Sequence, residues 1–159
     1  MAYHVFRKYV GGIQTAYRQC RDVVEFNCRW LAEHPELPNL IDCDFVTYLS
    51  DPKGFDTYYT IPQIIERGGD DCEGFACWLV AEDIVRRGLD ARVIFYRRKR
   101  WKRGKHHAVA LRRGPPGNYK PYVRFKLRGG LYAIDPCIPK NMHEYLLRRR
   151  KENKSCRYR

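Results

Sequence analysis

The chain has 159 residues, 44% of them apolar and 31% charged, a composition that supplies one buried core and rarely two. We therefore predict a single domain over residues 1–159. No apolar run approaches the roughly 20 residues that cross a bilayer, which excludes a membrane-spanning helix. Charges at Arg7 and Lys8 interrupt the stretch where a secretory signal would be continuously apolar, so we expect no export.

The charge and the cysteines indicate partners and compartment. Residues 1–90 hold 9 Lys and Arg against 15 Asp and Glu, a net −6, whereas residues 91–159 hold 22 against 3, a net +19. Such asymmetry predicts a surface that faces a polyanion.

The seven cysteines are scattered along the chain, and their odd number does not fit a disulfide framework. They favour reduced thiols in a cytoplasmic compartment.

The first predicted element is a helix between Gly12 and His34, where apolar residues recur at three- and four-residue spacing. Pro35 follows it and ends the helix, because proline has no N–H and fits poorly into a helix interior. Residues 35–60 combine prolines and a glycine with many aromatic and acidic residues. This segment predicts irregular chain that covers a surface.

A short second helix is predicted next. Thr60 suits the N-cap position, and the helix runs through Pro62 to Glu66, since proline is tolerated in a first turn. Gly68 and Gly69 then end it.

The third predicted helix, Cys72–Arg87, has apolar residues around most of its circumference and is therefore predicted to be largely buried. Gly88 is placed as its C-terminal stop. Two favourable ion pairs at four-residue spacing are expected on its solvent-facing side: Glu82 with Arg86, and Asp83 with Arg87.

Four strand-like runs occupy the rest of the predicted core, separated by turns rich in glycine and proline: Ala91–Tyr96, His106–Arg112, Tyr119–Leu127 and Leu131–Ile134. Helices followed by an antiparallel meander predict the α+β class. Strand alternation puts His107, Val109 and Leu111 on one face of their strand.

Three sequence features carry candidate chemistry: Cys72 at the start of the buried helix, His107 at the start of a strand, and Asp135 at the end of another. A helix amino terminus favours a thiolate, while the acids next to Cys72 oppose it. An imidazolium partner is therefore needed, and His107 supplies one. Asp135 can then fix the orientation and tautomer of the imidazole.

Gly69-Asp70-Asp71-Cys72-Glu73, His107-Ala108 and Asp135-Pro136, separated by 35 and 28 residues, resemble the transglutaminase-like domain of the papain-like cysteine peptidase superfamily over about residues 58–137. The resemblance implies Cys72 as nucleophile, His107 as base and Asp135 as the orienting acid of an enzyme that cleaves a protein or peptide substrate. We expect no cofactor and no metal. Outside the resemblance, the sequence predicts an N-terminal helix and irregular segment over 1–57 and a basic tail over 138–159.

Parts of the same sequence also fit two other interpretations, a different peptidase family and a zinc site. Asp71-Cys72-Glu73-Gly74-Phe75 is similar to the helix start of NlpC-type peptidoglycan endopeptidases, but the third residue of that family is histidine-like rather than Asp-Pro. A zinc site could be drawn from Cys72, Cys77, His106, His107 and Cys137, but the sequence contains no Cys-x-x-Cys pair. No glycine-rich phosphate loop is present.

A non-enzymatic alternative is a structural or interaction protein, such as a phage virion component, that uses the fold as a scaffold. Two basic segments would contact nucleic acid or an acidic protein surface, with cations on phosphates and a tryptophan stacked on a base. The candidate residues are Arg97, Arg98, Lys99, Arg100, Trp101, Lys102, Arg103, Lys105, Arg148, Arg149 and Arg150. A compact member of the resembled family with such a tail is what a phage-encoded, virion-associated protein would look like.

Overall fold

A computed structural model of the chain describes residues 6–7, 12–51, 57–96 and 106–137. This part of the chain is mixed α+β. Its helices are α1 (Gly12–Glu33), α2 (Ile61–Arg67) and α3 (Cys72–Arg87). Its strands are β1 (Phe6–Arg7), β2 (Thr47–Tyr48), β3 (Thr57–Tyr58), β4 (Gly69–Asp70), β5 (Ala91–Tyr96), β6 (His107–Arg113), β7 (Val123–Leu127) and β8 (Leu131–Ile134). Short 3-10 helices lie at Leu40–Asp42 and Gly117–Tyr122.

The helix predictions are confirmed in extent and in their ends. Helix α2 begins after Thr60, whose N–H and hydroxyl both donate to Gln63 Oε1, at 2.9 and 3.0 Å. Gly68 and Gly88 end α2 and α3 in the left-handed conformation that glycine adopts without strain. None of the described helices is long and apolar enough to cross a membrane.

The main sheet has four antiparallel strands, as predicted, but their order is β5-β6-β8-β7. The predicted meander is therefore wrong in one respect, because β8 and not β7 pairs with β6. The predicted strand Tyr119–Leu127 is wrong in its first half, because Gly117–Tyr122 forms a 3-10 turn and β7 starts only at Val123. Pro121 has no N–H to offer a ladder, and the N–H of Tyr119 donates to the Pro116 carbonyl at 3.0 Å. The turn buries the Tyr119 ring, whose hydroxyl accepts from the Ile41 N–H at 3.2 Å.

Helix α3 is the centre of the core, since it packs against α1 and against one face of the sheet. On β6, Ala108 and Ala110 belong to the core shared with α3. Val109 and Leu111 pack in a second cluster on the other face, as the alternation predicts.

The irregular segment predicted over residues 35–60 contains short elements that hold the start of α3. Strand β2 runs parallel to β4, with Thr47 opposite Gly69 and Tyr48 opposite Asp70. Gly69 is required there, because a Cβ at this position would lie 1.9 Å from the Thr47 carbonyl oxygen. The chain that leads into α3 is thereby fixed against β2.

The solvent-facing position predicted for Glu82 and Asp83 is wrong, because both side chains are fully buried. The pairs with Arg86 and Arg87 do form, at 4.0 and 2.9 Å. The two acids are also bound from inside the fold: Glu82 accepts from the Trp78 indole at 2.9 Å and from the Leu40 N–H, and Asp83 lies 2.8 Å from Arg112. The exposed side of α3 carries Ile84 and Val85 instead.

Candidate active site

His107 and Asp135 are joined directly. His107 opens β6 and Asp135 follows β8, and these strands are hydrogen-bonded neighbours. His107 Nε2 donates to Asp135 Oδ2 at 2.8 Å, and the carboxylate is buried while the imidazole is partly exposed. The ring of His107 also meets that of Tyr96 edge to face, with centroids 5.6 Å apart. The imidazole is therefore held from two sides.

Asp135 is held ionised by three donors. Arg124 Nε lies 2.8 Å from Oδ2, the oxygen that His107 also contacts, and the Cys137 N–H donates to Oδ1 at 3.1 Å. Burial opposes ionisation, but the hydrogen bonds and charges of His107 and Arg124 hold the pKa of Asp135 below its ordinary value. The carboxylate is therefore available to orient and stabilise a protonated imidazole.

Cys72 is the first residue of α3, directly after the N-cap Asp71, whose carboxylate accepts from the Glu73 N–H at 3.2 Å. The backbone N–H of Ala108, the residue on β6 next to His107, acts on the Cys72 sulfur and by itself lowers the pKa of the thiol. The sulfur also interacts electrostatically with the thiol of Cys137. The three predicted catalytic residues thus converge on one end of the sheet.

The thiol itself is turned towards Glu73. Cys72 Sγ donates to Glu73 Oε2 at 2.9 Å. Burial raises the pKa of the Cys72 thiol well above its ordinary value, and the charge of Glu73 raises it further. The Ala108 N–H acts in the opposite direction but does not reverse the shift. The resting thiol is protonated.

Asp71 has a perturbed pKa for the same reasons. Burial and then the negative charges of Glu73 and Asp70 raise the pKa of Asp71 to about 10. The expectation that the acids beside Cys72 oppose the thiolate agrees with this arrangement.

Two residues at the site were not assigned a role there by the sequence analysis. Cys137 is buried, and its sulfur lies within 4.8 Å of ligand atoms of both His107 and Asp135. Its position two residues after Asp135 is a signal that sequence inspection could have used. Arg124 offers no such signal, because its contact with Asp135 depends on the pairing of β7 with β8.

Among the residues that the structure describes, two groups have the donor types of a metal site: His107 with Asp135 and Cys137, and the consecutive Asp71, Cys72 and Glu73. In the first group the Arg124 guanidinium already neutralises the carboxylate oxygen that a cation would need. The wider zinc set weighed from the sequence does not assemble. Cys77 is buried against the Cys20 carbonyl, at 3.7 Å, and His106 is exposed.

The candidate polyanion-binding residues lie outside the described part of the chain. Residues 97–105 and 138–159 belong to its gaps. The eleven residues named for polyanion contact, from Arg97 to Lys105 and from Arg148 to Arg150, therefore stay a prediction from sequence.

The chain was compared with known proteins at three levels. No protein-family model, curated protein or solved structure matches it. The fold and the site together define the class: an α+β protein with a Cys, His and Asp group at one end of an antiparallel sheet.

Proposed function

We propose that the protein is a thiol-dependent acyl-transfer enzyme, a cysteine peptidase or amidase of transglutaminase-like type. The observation that carries the proposal is the 2.8 Å hydrogen bond between His107 and an ionised Asp135, beside which the Cys72 sulfur lies against the adjacent Ala108 N–H. A nucleophile at a helix start, a base and an orienting acid are the parts that covalent acyl transfer requires.

The reaction begins when the Cys72 side chain turns from Glu73 towards His107. Asp135 holds Nε2, so Nδ1 is the nitrogen that takes the thiol proton. The thiolate attacks the substrate carbonyl, the carbon–nitrogen bond breaks, and His107 returns the proton to the leaving amine. Water, activated by the same imidazole, then releases the acyl group from the sulfur. Asp135 stabilises the imidazolium formed in between.

The second candidate is the scaffold that contacts nucleic acid or an acidic partner, as in a phage virion component. Two observations favour it: the net +19 of residues 91–159 and the hydrogen bond that turns the Cys72 thiol towards Glu73. In that case Cys72 is a buried thiol without turnover. An NlpC-type endopeptidase is the lesser alternative, and it shares the same nucleophile and base.

A covalent probe separates enzyme from scaffold without knowledge of the substrate. A peptidyl vinyl sulfone is incubated with wild type, His107→Ala and Cys137→Ser, and the labelled cysteine is mapped by mass spectrometry. The enzyme proposal predicts labelling of Cys72 in wild type and Cys137→Ser and its loss in His107→Ala. Equal labelling with and without His107, or none at Cys72 in a folded protein, supports the scaffold.

A further inference from the structure

We propose that a cavity between α1, α3 and β5 binds a small amphipathic carboxylate, an alkyl chain with an anionic head group. The cavity has a volume of about 860 Å³. It is distinct from the cysteine site, because its nearest residue on α3, Val80, lies eight residues after Cys72, about 12 Å along the helix axis. The proposal is independent of the acyl-transfer function.

The wall of the cavity is apolar. Val24 of α1, Val80 and Ile84 of α3 and Val93 of β5 contribute to it. Tyr17 and Ile84 also line the cavity and remain 38% and 39% exposed, so large apolar side chains border open space there. Binding sites for small molecules are typically concave, mostly apolar and about 300–1,000 Å³ in volume. Such a wall fits an alkyl chain.

The charged side chains that α1 offers to the cavity are positive. Arg18 and Arg21 lie one turn apart on this helix, and the described residues of the lining include no carboxylate. Both arginines belong to residues 1–90, a region whose net charge is −6. Two guanidinium groups beside an apolar wall complement a carboxylate and repel a cation.

These arginines are available to a ligand. Within the described ranges Arg18 forms no ion pair, and Arg21 reaches only Asp22, at 3.9 Å, with 76% of its side chain exposed. An exposed pair of this length contributes little and is readily exchanged for a better acceptor. Because both side chains lie at the surface, their replacement leaves the core intact.

The test uses the full chain and decanoate as the probe, measured by isothermal titration calorimetry below the micelle concentration. Acetate has the same head group without the chain, and decyltrimethylammonium has the same chain with the opposite charge. The proposal predicts saturable binding of decanoate and much weaker binding of both controls. Equal binding of decanoate and decyltrimethylammonium would overturn it, as would the absence of decanoate binding.

Matched variants locate the site. The double variant Arg18→Gln/Arg21→Gln should weaken decanoate binding at least about tenfold, since charge-assisted hydrogen bonds are lost. Arg29→Gln is the control on the same helix, because Arg29 is exposed and does not line the cavity. Cys72→Ala should bind decanoate like wild type, which separates this site from the proposed catalysis. Unchanged binding in the double variant, or equal weakening in Arg29→Gln, overturns the proposal.

Discussion

The thiol of Cys72 donates to the carboxylate of its own neighbour, Glu73, with 2.9 Å between sulfur and oxygen. Both residues belong to the first turn of α3, where the helix dipole alone would favour a thiolate. The carboxylate takes the role of hydrogen-bond acceptor that a catalytic base would otherwise have, and its negative charge opposes loss of the thiol proton. Reactivity at this site therefore depends on the contact between Cys72 and Glu73.

We expect Glu73→Gln to lower the pKa of the Cys72 thiol, because the variant removes the negative charge closest to the sulfur. Alkylation of Cys72 by iodoacetamide at pH 7 should become several-fold faster, measured by mass spectrometry across a pH series. Glu66→Gln, an exposed site on α2, is the matched control and should not change the rate. An identical pH profile in Glu73→Gln and wild type would contradict the assigned role.

Arg124→Gln should lower the free energy of unfolding near neutral pH by about 1 kcal/mol. The variant loses a charge-assisted hydrogen bond to Asp135, whose contribution is reduced because Arg124 is partly exposed to solvent. The direction of the pH dependence follows from Asp135, whose pKa is lower in the folded protein than its ordinary value. The ionised Asp135 therefore stabilises the fold above its unfolded-state pKa, and this stabilisation is lost as the pH falls through its folded-state pKa. Urea unfolding at pH 7 and pH 3 should therefore show a smaller difference at pH 3. A difference of the same size at both pH values would rule out the electrostatic cause.

Glu82 should make stability fall between about pH 5 and pH 7. Burial raises the pKa of Glu82 to about 7, so the folded state binds a proton that the unfolded state has already released over this interval. The free energy of unfolding should decline less steeply with pH in Glu82→Gln than in wild type. The two slopes should differ by up to about 1.4 kcal/mol per pH unit. Glutamine keeps the acceptor for Trp78 and Leu40. Parallel stability curves for the two proteins, from denaturant titrations at four pH values, would disprove the assignment.

Gly69→Ala should cost about 2 kcal/mol of stability or more, because the added Cβ would clash with the Thr47 carbonyl where β2 meets β4. Gly130→Ala is the matched control. Gly130 also has a positive φ, of 72°, but its Cβ would meet nothing within 4 Å, so only about 1 kcal/mol of conformational cost is expected. The two variants are compared by thermal and urea unfolding, and equal losses would mean that the close approach to Thr47 is not what requires glycine.

Local patterns in the sequence determined most of the elements. The spacing of apolar residues places α1 and α3, and the glycines that follow α2 and α3 end them, because only the φ angles of neighbouring residues are involved. Strand alternation on β6 correctly separates the residues that face α3 from those on the other face. The positions of Cys72 at a helix start and of His107 at a strand start follow from the same local rules.

Tertiary structure decided which charges are buried and what Asp135 contacts. Glu82 and Asp83 have the spacing of a solvent-facing ion-pair series, but Leu40, Trp78 and Arg112 enclose them. The contact of Arg124 with Asp135 likewise arises from the pairing of two strands. Periodicity reports how residues are placed around one element, whereas burial and electrostatics depend on what other elements bring against it. That is why the sequence named the candidate nucleophile, base and orienting acid but not Arg124, which holds Asp135 from a neighbouring strand.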